Sequence, residues 1–542
     1  MINAPCLRGL SHAVVAAALT LAVATAMAQA PQDPGGVLLE IKRFVVEGDP
    51  NPLSQQETDA ILVRHLGTHK SLDTIEAAAR ALEDAMREKG YSFHRVIVPA
   101  QRPAAGELRL RVLRFSLAQV TVTGNQHFTA ENILRALPEL KPGASPDVGE
   151  LSRQLALGND HPAKRLSIQI KESQQRDHLD AEVRVRDVPS MQTFIGLTGH
   201  TRDHDNTINR NTGYTRLTIG HQQSNLFERD HAATIAYTTS PDHIDKVTQI
   251  GAFYWLPLYG YHTTLNAYWT YSDVDTGSVG VGGQSFDVTG RGEFWGLRAT
   301  YALPKLGLAS QNVSIALDDR YFKSDVGFLG QLLPSSVVSS RPLSLRYALH
   351  YEQAGGSIGG HVEYVHNLGG GRADSDVQYL NARLPGGASP NWNAYRYGID
   401  ASYPLASSWS VIGRFRGQYT DDPLIPGEQF GVGGPGSVRG LRDREVTGDR
   451  GYTFTAEVHA PVLYADIAPF AFFDYGWRKH VAPVPGVAVS DSASSIGLGV
   501  KWNWQRKLEL NASLARVMDG VSATGGTPQG HVKLDFSAFY RF

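Results

Sequence analysis

The stretch Phe430–Leu441 reads FGVGGPGSVRGL, and further along the chain Phe472–Gly476 reads FFDYG. The first segment places Arg439 among glycines, which let a chain turn tightly in a confined space. The second places Asp474 on a candidate β-strand. Because a carboxylate that faces lipid is costly, Asp474 is predicted to face the inside of a barrel, where Arg439 can pair with it. The two segments therefore predict a glycine-rich loop that folds into the lumen of a membrane β-barrel.

The C-terminal stretch His531–Phe542 (HVKLDFSAFYRF) alternates between apolar and polar residues. One face carries Val532, Leu534, Phe536, Ala538, Tyr540 and Phe542, and the other carries Lys533, Asp535, Ser537 and Arg541. The stretch Tyr395–Tyr403 alternates in the same way. Such alternation is typical of strands that face lipid on one side and an aqueous lumen on the other.

Sixteen candidate strands follow between Met191 and the end of the chain. They begin near residues 191, 212, 231, 246, 262, 291, 311, 343, 358, 392, 409, 452, 468, 494, 508 and 531. Bacterial membrane barrels have even strand numbers in this range. The sequence thus predicts a 16-stranded antiparallel transmembrane β-barrel over residues 191–542, with a lumen loop over residues 420–451. A soluble β-sandwich or propeller is the alternative, and it predicts strands whose apolar faces point inward.

The N-terminal part of the chain repeats one order of elements. Residues 38–114 predict strand, helix, helix, strand and strand, with an apolar helical stripe formed by Leu72, Ile75, Ala79, Leu82 and Met86. Gly90 follows that helix as a C-terminal cap would. Residues 115–187 repeat the order with shorter helices. The repeat predicts two small α+β domains ahead of the barrel.

Residues 1–28 have the three parts of a secretory signal peptide: a positive start at Arg8, an apolar run, and a small-x-small end at Ala26–Ala28. The lead-in over residues 29–37 is short and rich in Pro and Gly. We therefore expect it to form no helix that could plug a pore. No later stretch is apolar enough for a membrane helix, so a membrane-spanning part has to be a closed barrel.

Composition argues against several other functions. Lys and Arg total 51 against 53 Asp and Glu, which gives no support to a nucleic-acid partner. Cys6, within the predicted signal, is the only cysteine, so no thiol chemistry is expected. The GxGxxG match at Gly431–Gly436 lacks a βαβ unit, and His200–Asp205 (HTRDHD) lacks the spacing of a zinc site. Without catalytic motifs, we expect no enzyme, no cofactor and no metal.

In this order, the features resemble the outer-membrane transporters of two-partner secretion, the TpsB or haemolysin-activator family (ShlB, FhaC and HecB-like proteins). The family's lumen-loop motif is matched by Val438, Arg439 and Gly440, after Gly433 and Gly434. Its strand motif is matched by Phe472, Asp474 and Gly476. Its terminal assembly signal is matched by Phe542, with Tyr540, and its first POTRA domain by Lys89–Tyr91 and Val98–Gln101. One departure is Leu441, where the family usually has Tyr or Phe.

The resemblance implies two periplasmic POTRA domains, over residues 38–114 and 115–187, before the barrel in a Gram-negative outer membrane. It implies secretion of a large TpsA-like exoprotein, whether adhesin, haemolysin or contact toxin. The other implied partners are the barrel-assembly machinery and outer-membrane lipids. An assembly factor for outer-membrane proteins is one alternative, although such factors typically have more POTRA domains. A passive porin or receptor is another, although a diffusion pore needs no POTRA domain.

Overall fold

The computed structural model describes most of the chain after the N-terminal segment. The described residues are 39–48, 51–69, 71–102, 105–201, 213–273, 277–281, 284–288, 291–324, 327–328, 331–332, 336–353, 355–383, 386–463, 466–482, 488–505, 507–522 and 525–542. The predicted signal peptide over residues 1–28 and the lead-in over residues 29–37 lie outside them. So do residues 202–205 of the candidate metal segment.

The first α/β unit carries its helices beside a three-stranded sheet. Its elements are β1 Leu39–Ile41, β2 Arg43–Gly48, α1 Gln55–Leu62, β3 Gly67–His69, α2 Leu72–Glu88, β4 His94–Ile97 and β5 Glu107–Arg114. In the sheet, β5 lies between β2 and β4, and β2 runs parallel to it. Helix α1 starts at a capping box between Ser54 and Glu57. The predicted stripe on α2 is buried from Ile75 onward, but Leu72, the first residue of the helix, is exposed.

The second α/β unit has the same order of elements apart from the short strands β1 and β3. Its elements are β6 Ser116–Thr123, α3 Ala130–Arg135, α4 Val148–Asn159, β7 Lys164–Glu172 and β8 His178–Asp187. Strand β8 is central, with β6 parallel and β7 antiparallel to it. Helices α3 and α4 begin where Thr129 and Asp147 accept a hydrogen bond from a first-turn backbone N–H. The core includes Leu117, Ile133, Leu137, Leu151, Leu157 and Val183.

The barrel closes with sixteen strand positions, as predicted. Its strands are β9 Met191–His200, β10 Thr215–Leu226, β11 His231–Thr239, β12 Gln249–Leu258, β13 Thr263–Ser272, β16 Arg291–Leu306, β17 Ala309–Ser324, β20 Ser336–Ser340 continued by β21 Pro342–Gln353, β22 Gly356–Asn367, β23 Asn393–Pro404, β24 Ser410–Tyr419, β27 Arg450–His459, β28 Ile467–Lys479, β29 Ser490–Trp504, β30 Leu508–Asp519 and β31 Val532–Arg541. β20 and β21 pair with β17 one after the other, so they act as one interrupted strand. β31 pairs with β9 and closes the barrel antiparallel.

Within the described residues, short strand pairs and one α-helix extend from the barrel strands. They are β14 Gly277–Val281 with β15 Gln284–Val288, β18 Gly327–Phe328 with β19 Gln331–Leu332, β25 Phe430–Val432 with β26 Val446–Gly448, and α5 Asp376–Ala382. Among the described residues, no helix combines the length and apolarity needed to cross a bilayer.

Alternating side chains separate the two surfaces of the barrel wall. On β31, Lys533 and Asp535 are 2% and 5% exposed, whereas Val532 is 49% exposed. The period of two in a strand places neighbours on opposite faces, so the polar set turns inward. The predicted faces of this strand are correct.

The two ends of the barrel differ in their connections. Short turns such as Phe227–Asp230 and Tyr259–His262 lie at one end, and longer connections such as 368–392 and 420–449 lie at the other. In bacterial barrels the short turns face the periplasm and the long loops the cell surface. The lumen loop therefore starts from the cell-surface end.

Candidate functional site: the lumen loop

The lumen loop connects β24 to β27 and is a folded hairpin. Its strands β25 and β26 pair antiparallel. Gly433 and Gly434 follow β25 with positive φ angles of 121° and 91°. A Cβ at these positions would overlap Arg442 and Asp443 on the other arm of the hairpin, so glycine is required for the turn.

Arg439 and Asp474 are in direct contact, as the sequence predicted. The Arg439 Nε donates to Asp474 Oδ2 at 2.7 Å, and an Nη donates to Oδ1 at 2.7 Å. The backbone N–H of Arg439 also donates to Oδ2 at 3.1 Å. Both side chains are buried. The three bonds fix the orientation of the loop tip, which a lysine at position 439 could not do.

Two further groups surround the Arg439 guanidinium. Glu457 on β27 accepts a hydrogen bond from it at 3.0 Å. The ring of Phe472 lies below it, with 3.5 Å from Cζ to the ring centroid. Glu457 was not among the residues predicted from the sequence, although it lies on the same polar face of β27 as Thr453 and Thr455. Phe472 was part of the predicted motif, and its contact is a cation–π interaction.

Gly476 provides the space in which the loop lies against β28. A Cβ there would overlap Val432 and would come within 3.0 Å of a Val438 methyl group. The missing side chain thus lets two loop valines pack directly on the strand. This accounts for glycine as the last member of the Phe472–Gly476 motif.

Leu441 is fully buried, although it departs from the aromatic residue expected at this position. It packs in an aliphatic cluster that includes Val438, Ala493 and Val517. Its carbonyl oxygen accepts a hydrogen bond from Lys533 Nζ at 3.0 Å. Leu441 is therefore held mainly by aliphatic neighbours, with Phe430 packed against the same cluster.

Tyr540 and Phe542 are not part of the lumen site. They lie on the outward face of the C-terminal strand, with ring centroids 4.9 Å apart. Phe542 is exposed, and its backbone N–H donates to Thr193 O at 2.9 Å across the barrel closure.

The lumen loop also takes part in two buried ion-pair clusters that were not predicted from the sequence. Glu428 contacts Arg320 and Arg396 on the barrel wall. At the end of the loop, Asp449 accepts two hydrogen bonds from Arg383, at 2.6 and 2.8 Å. The only sequence signal was the placement of Arg396 on the polar face of its strand, which did not identify a partner.

The second α/β unit is joined to the barrel by a buried lysine. Lys164 Nζ donates to Asp230 Oδ2 at 2.6 Å and to Asn132 Oδ1 at 2.8 Å. The hydroxyl of Tyr259, from the next barrel turn, donates to the same Asp230 oxygen at 2.7 Å. The Lys164 and Asp230 side chains are 0% and 1% exposed. A charge this deeply buried depends on its partner.

His161 lies in the same junction. Its Nε2 donates to Ser224 O at 2.7 Å, while Nδ1 accepts from the Ala163 backbone N–H at 3.2 Å, so the ring is neutral. Burial lowers the pKa of His161 from 6.5 to about 4; Asp230 opposes this effect and Lys164 reinforces it.

We expect the junction to weaken as the pH falls. Once the junction opens, His161 regains an ordinary pKa near 6.5 and binds a proton that the closed junction excludes. The contribution of His161 to the stabilisation is therefore complete above pH 6.5 and decreases as the pH falls towards 4, by about 2 kcal/mol at pH 5. The neighbouring Asp160, whose pKa burial raises to about 6, acts in the opposite direction in the wild type and in the variant alike. Hydrogen exchange of the 224–231 turn, corrected for intrinsic rates, measures it. The variant His161→Gln keeps a donor for Ser224 but cannot titrate; an unchanged pH slope in this variant would contradict the assignment.

Among the described residues, no group of acidic, His or Cys side chains has the geometry of a metal site.

The sequence comparisons point to transport. Residues 198–501 match the haemolysin secretion/activation protein family ShlB/FhaC/HecB, and residues 39–114 match the ShlB-type POTRA domain. The outer membrane transporter CdiB of Dickeya dadantii (strain 3937) is 23% identical over 485 residues, 83% of this chain and 78% of that protein.

Two solved structures have a similar fold. CdiB from Escherichia coli has a TM-score of 0.74 at 17% identity, covering 95% of this chain and 92% of that one. CdiB from Acinetobacter baumannii has a TM-score of 0.64 at 16% identity, covering 93% and 90%.

A POTRA domain, a closed 16-stranded barrel and a loop seated in its lumen define an outer-membrane protein transporter. More specifically, the chain belongs to the haemolysin secretion/activation family ShlB/FhaC/HecB, the transporters of two-partner secretion. Proteins of this family reside in the outer membrane with their POTRA domains in the periplasm, and they export TpsA-like exoproteins. The predicted family, fold class, transport function and location are confirmed.

Proposed function

We propose that this chain exports one large exoprotein, and that the Arg439–Asp474 ion pair is a latch that holds the lumen loop in place until export begins. The observation that carries the proposal is the three-bond contact between a loop residue and a wall residue, both buried. A buried ion pair contributes little net stability, because both charges lose their hydration on burial. Loss of one partner is nevertheless costly, because it leaves the other buried charge uncompensated. Such a contact suits a loop with two discrete positions.

We assign the following roles to the remaining parts of the chain. Residues 115–187 act as a second POTRA domain, and both domains catch the unfolded exoprotein by adding its strand to a sheet edge. Residues 1–28 direct export of the transporter itself. Tyr540 and Phe542, on the outward face, contact outer-membrane lipids and present the barrel-assembly machinery with its signal. The protein performs no enzymatic reaction, and folding of the exoprotein outside the cell drives transport.

The variants Arg439→Ala and Asp474→Ala test the latch. Arg439→Ala leaves the buried Asp474 carboxylate without its charged partner, which costs about 3–5 kcal/mol in the seated loop. Asp474→Ala leaves Arg439 with Glu457 as its remaining carboxylate and removes the bidentate contact to β28. We expect secretion of the exoprotein to fall at least about tenfold. Barrel insertion, followed by heat-modifiable migration on gels, should persist.

Arg444→Ala is the matched control. Arg444 belongs to the same loop but donates to the loop's own carbonyl groups of Pro426 and Gln429. Its loss should change secretion much less. Normal secretion by both latch variants would remove the ion pair from the mechanism.

A further inference from the structure

Glu428 of the lumen loop occupies a site built by the barrel wall. Its carboxylate accepts hydrogen bonds from Arg320 at 2.9 and 3.1 Å, from Arg396 at 3.0 Å, and from the Ser340 hydroxyl at 2.6 Å. The Glu428 side chain is 0% exposed. Three donors from three wall strands therefore surround one carboxylate carried by the loop.

The charges balance only while Glu428 is in place. Asp318 also binds Arg320, at 2.7 Å, whereas Arg396 donates its other side-chain hydrogen bond, at 3.0 Å, to the neutral Gln418. With Glu428 present, two guanidinium groups face two carboxylates. Without it, the wall keeps one positive charge in excess, together with donors oriented for a carboxylate.

The site opens onto a lumen cavity of about 810 Å³. Aromatic side chains, among them Trp255, Tyr268 and Phe294, share its lining with the charged residues Arg298 and Glu363. Apolar rings beside guanidinium groups suit an extended polypeptide, which offers both apolar and acidic side chains.

We propose that Arg320, Arg396 and Ser340 form a carboxylate-binding site for Asp and Glu side chains of the exported polypeptide, and that Glu428 fills this site in the resting protein. This inference rests on the proposed function, because Glu428 has to leave with the loop before a side chain of the exported chain can enter. The loop residue and the exported side chain then compete for the same donors.

Competition follows from the way Glu428 is attached. A tethered group has an effective concentration in the millimolar range, so it excludes single free carboxylates. An exported chain held at the lumen presents successive acidic side chains at comparable local concentration. Each one stabilises the displaced position of the loop, and loss of contact lets Glu428 return.

The test uses the full-length protein and Glu428→Gln in planar bilayers. The probes are two unstructured peptides of equal length, one with spaced glutamates and one with glutamines at the same positions. We expect the glutamate peptide to block current through Glu428→Gln at a concentration at least about tenfold lower than through the wild type, the effect of one charge-assisted hydrogen bond. The glutamine peptide should not distinguish the two proteins. The reversal potential in a KCl gradient should also shift towards anion selectivity in Glu428→Gln.

Two variants keep the result specific. Glu363→Gln removes another lumen carboxylate, one that pairs with Arg298 at 4.0 Å, and should not sensitise the pore to the glutamate peptide. Adding Arg396→Gln to Glu428→Gln should abolish the sensitivity. Equal block of the wild type and Glu428→Gln by the glutamate peptide would overturn the inference, with heat-modifiable migration confirming a folded barrel.

The outcomes separate this inference from the latch. If the latch variants lose secretion while the peptide fails to distinguish Glu428→Gln, the carboxylate site fails alone. If the peptide discriminates while the latch variants secrete normally, the site stands and the latch fails.

Discussion

The double variant Gly440→Cys/Ala515→Cys is expected to lose secretion under oxidising conditions and to regain it when a reductant is added. A Cβ at Gly440 would lie 3.3 Å from the Ala515 Cβ, close to the spacing that a disulfide requires. The only cysteine of the chain, Cys6, lies in the predicted signal peptide, so no other thiol competes. A disulfide would tie the loop tip to β30. If the loop has to move, secretion falls at least about tenfold, as expected for a blocked gating step.

The single variants are the references for this experiment. Gly440 has a φ of 94°, so cysteine there costs roughly 1–3 kcal/mol in backbone strain and can lower secretion by itself. Gly440→Cys alone measures that loss, and Ala515→Cys alone measures the effect of a cysteine on β30. A reductant should reverse neither effect.

A second tether, Val432→Cys/Gly476→Cys, joins the hairpin to β28 without the positive φ of Gly440. Because a Cβ at Gly476 comes within 3.0 Å of a Val438 methyl group, Gly476→Cys alone is the reference for this tether. Full disulfide formation with normal secretion in both tethers would contradict loop movement.

Replacing Lys164 by methionine is expected to release the second α/β unit from the barrel turn. Methionine has a similar length but carries no charge, so Asp230 would stay buried with Tyr259 as its remaining donor in the junction. Loss of one member of a buried pair costs about 3–5 kcal/mol, which corresponds to an opening equilibrium raised more than a hundredfold. Hydrogen exchange at the 224–231 turn measures this opening.

An exposed pair of the same unit is the control. Arg184 and Glu182 form an ion pair at 3.2 Å, with side chains 59% and 22% exposed. Arg184→Met should leave the opening equilibrium of the junction nearly unchanged, because an ion pair in contact with water contributes little to stability. The double variant Lys164→Met/Asp230→Leu should recover much of the protection, because an apolar pair can replace a buried ion pair. Equal protection in Lys164→Met and Arg184→Met would mean that the buried lysine does not hold the junction.

Local patterns predicted most of the fold. Alternation along β31 assigned Lys533 to the lumen and Val532 to lipid, because successive side chains in a strand point to opposite faces. Helical spacing identified α2 but placed Leu72 in its buried stripe, whereas the first turn of the helix extends beyond the core. The glycine-rich loop and the lumen-facing Asp474 followed from the cost of placing a carboxylate in lipid.

By itself, then, the sequence determined the strand number, the inward face of β31 and the Arg439–Asp474 pair, since these depend on local periodicity and on two recognisable motifs. Only the tertiary structure decided that Leu441 packs among aliphatic residues, that Lys164 meets Asp230, and that Glu428 occupies a site on the wall. Lys164 and Asp230 are 66 residues apart, and Glu428 and Arg320 are 108 residues apart. Contacts over such separations are set by barrel register and loop path, and no local pattern in the chain encodes which charged side chain will be opposite which.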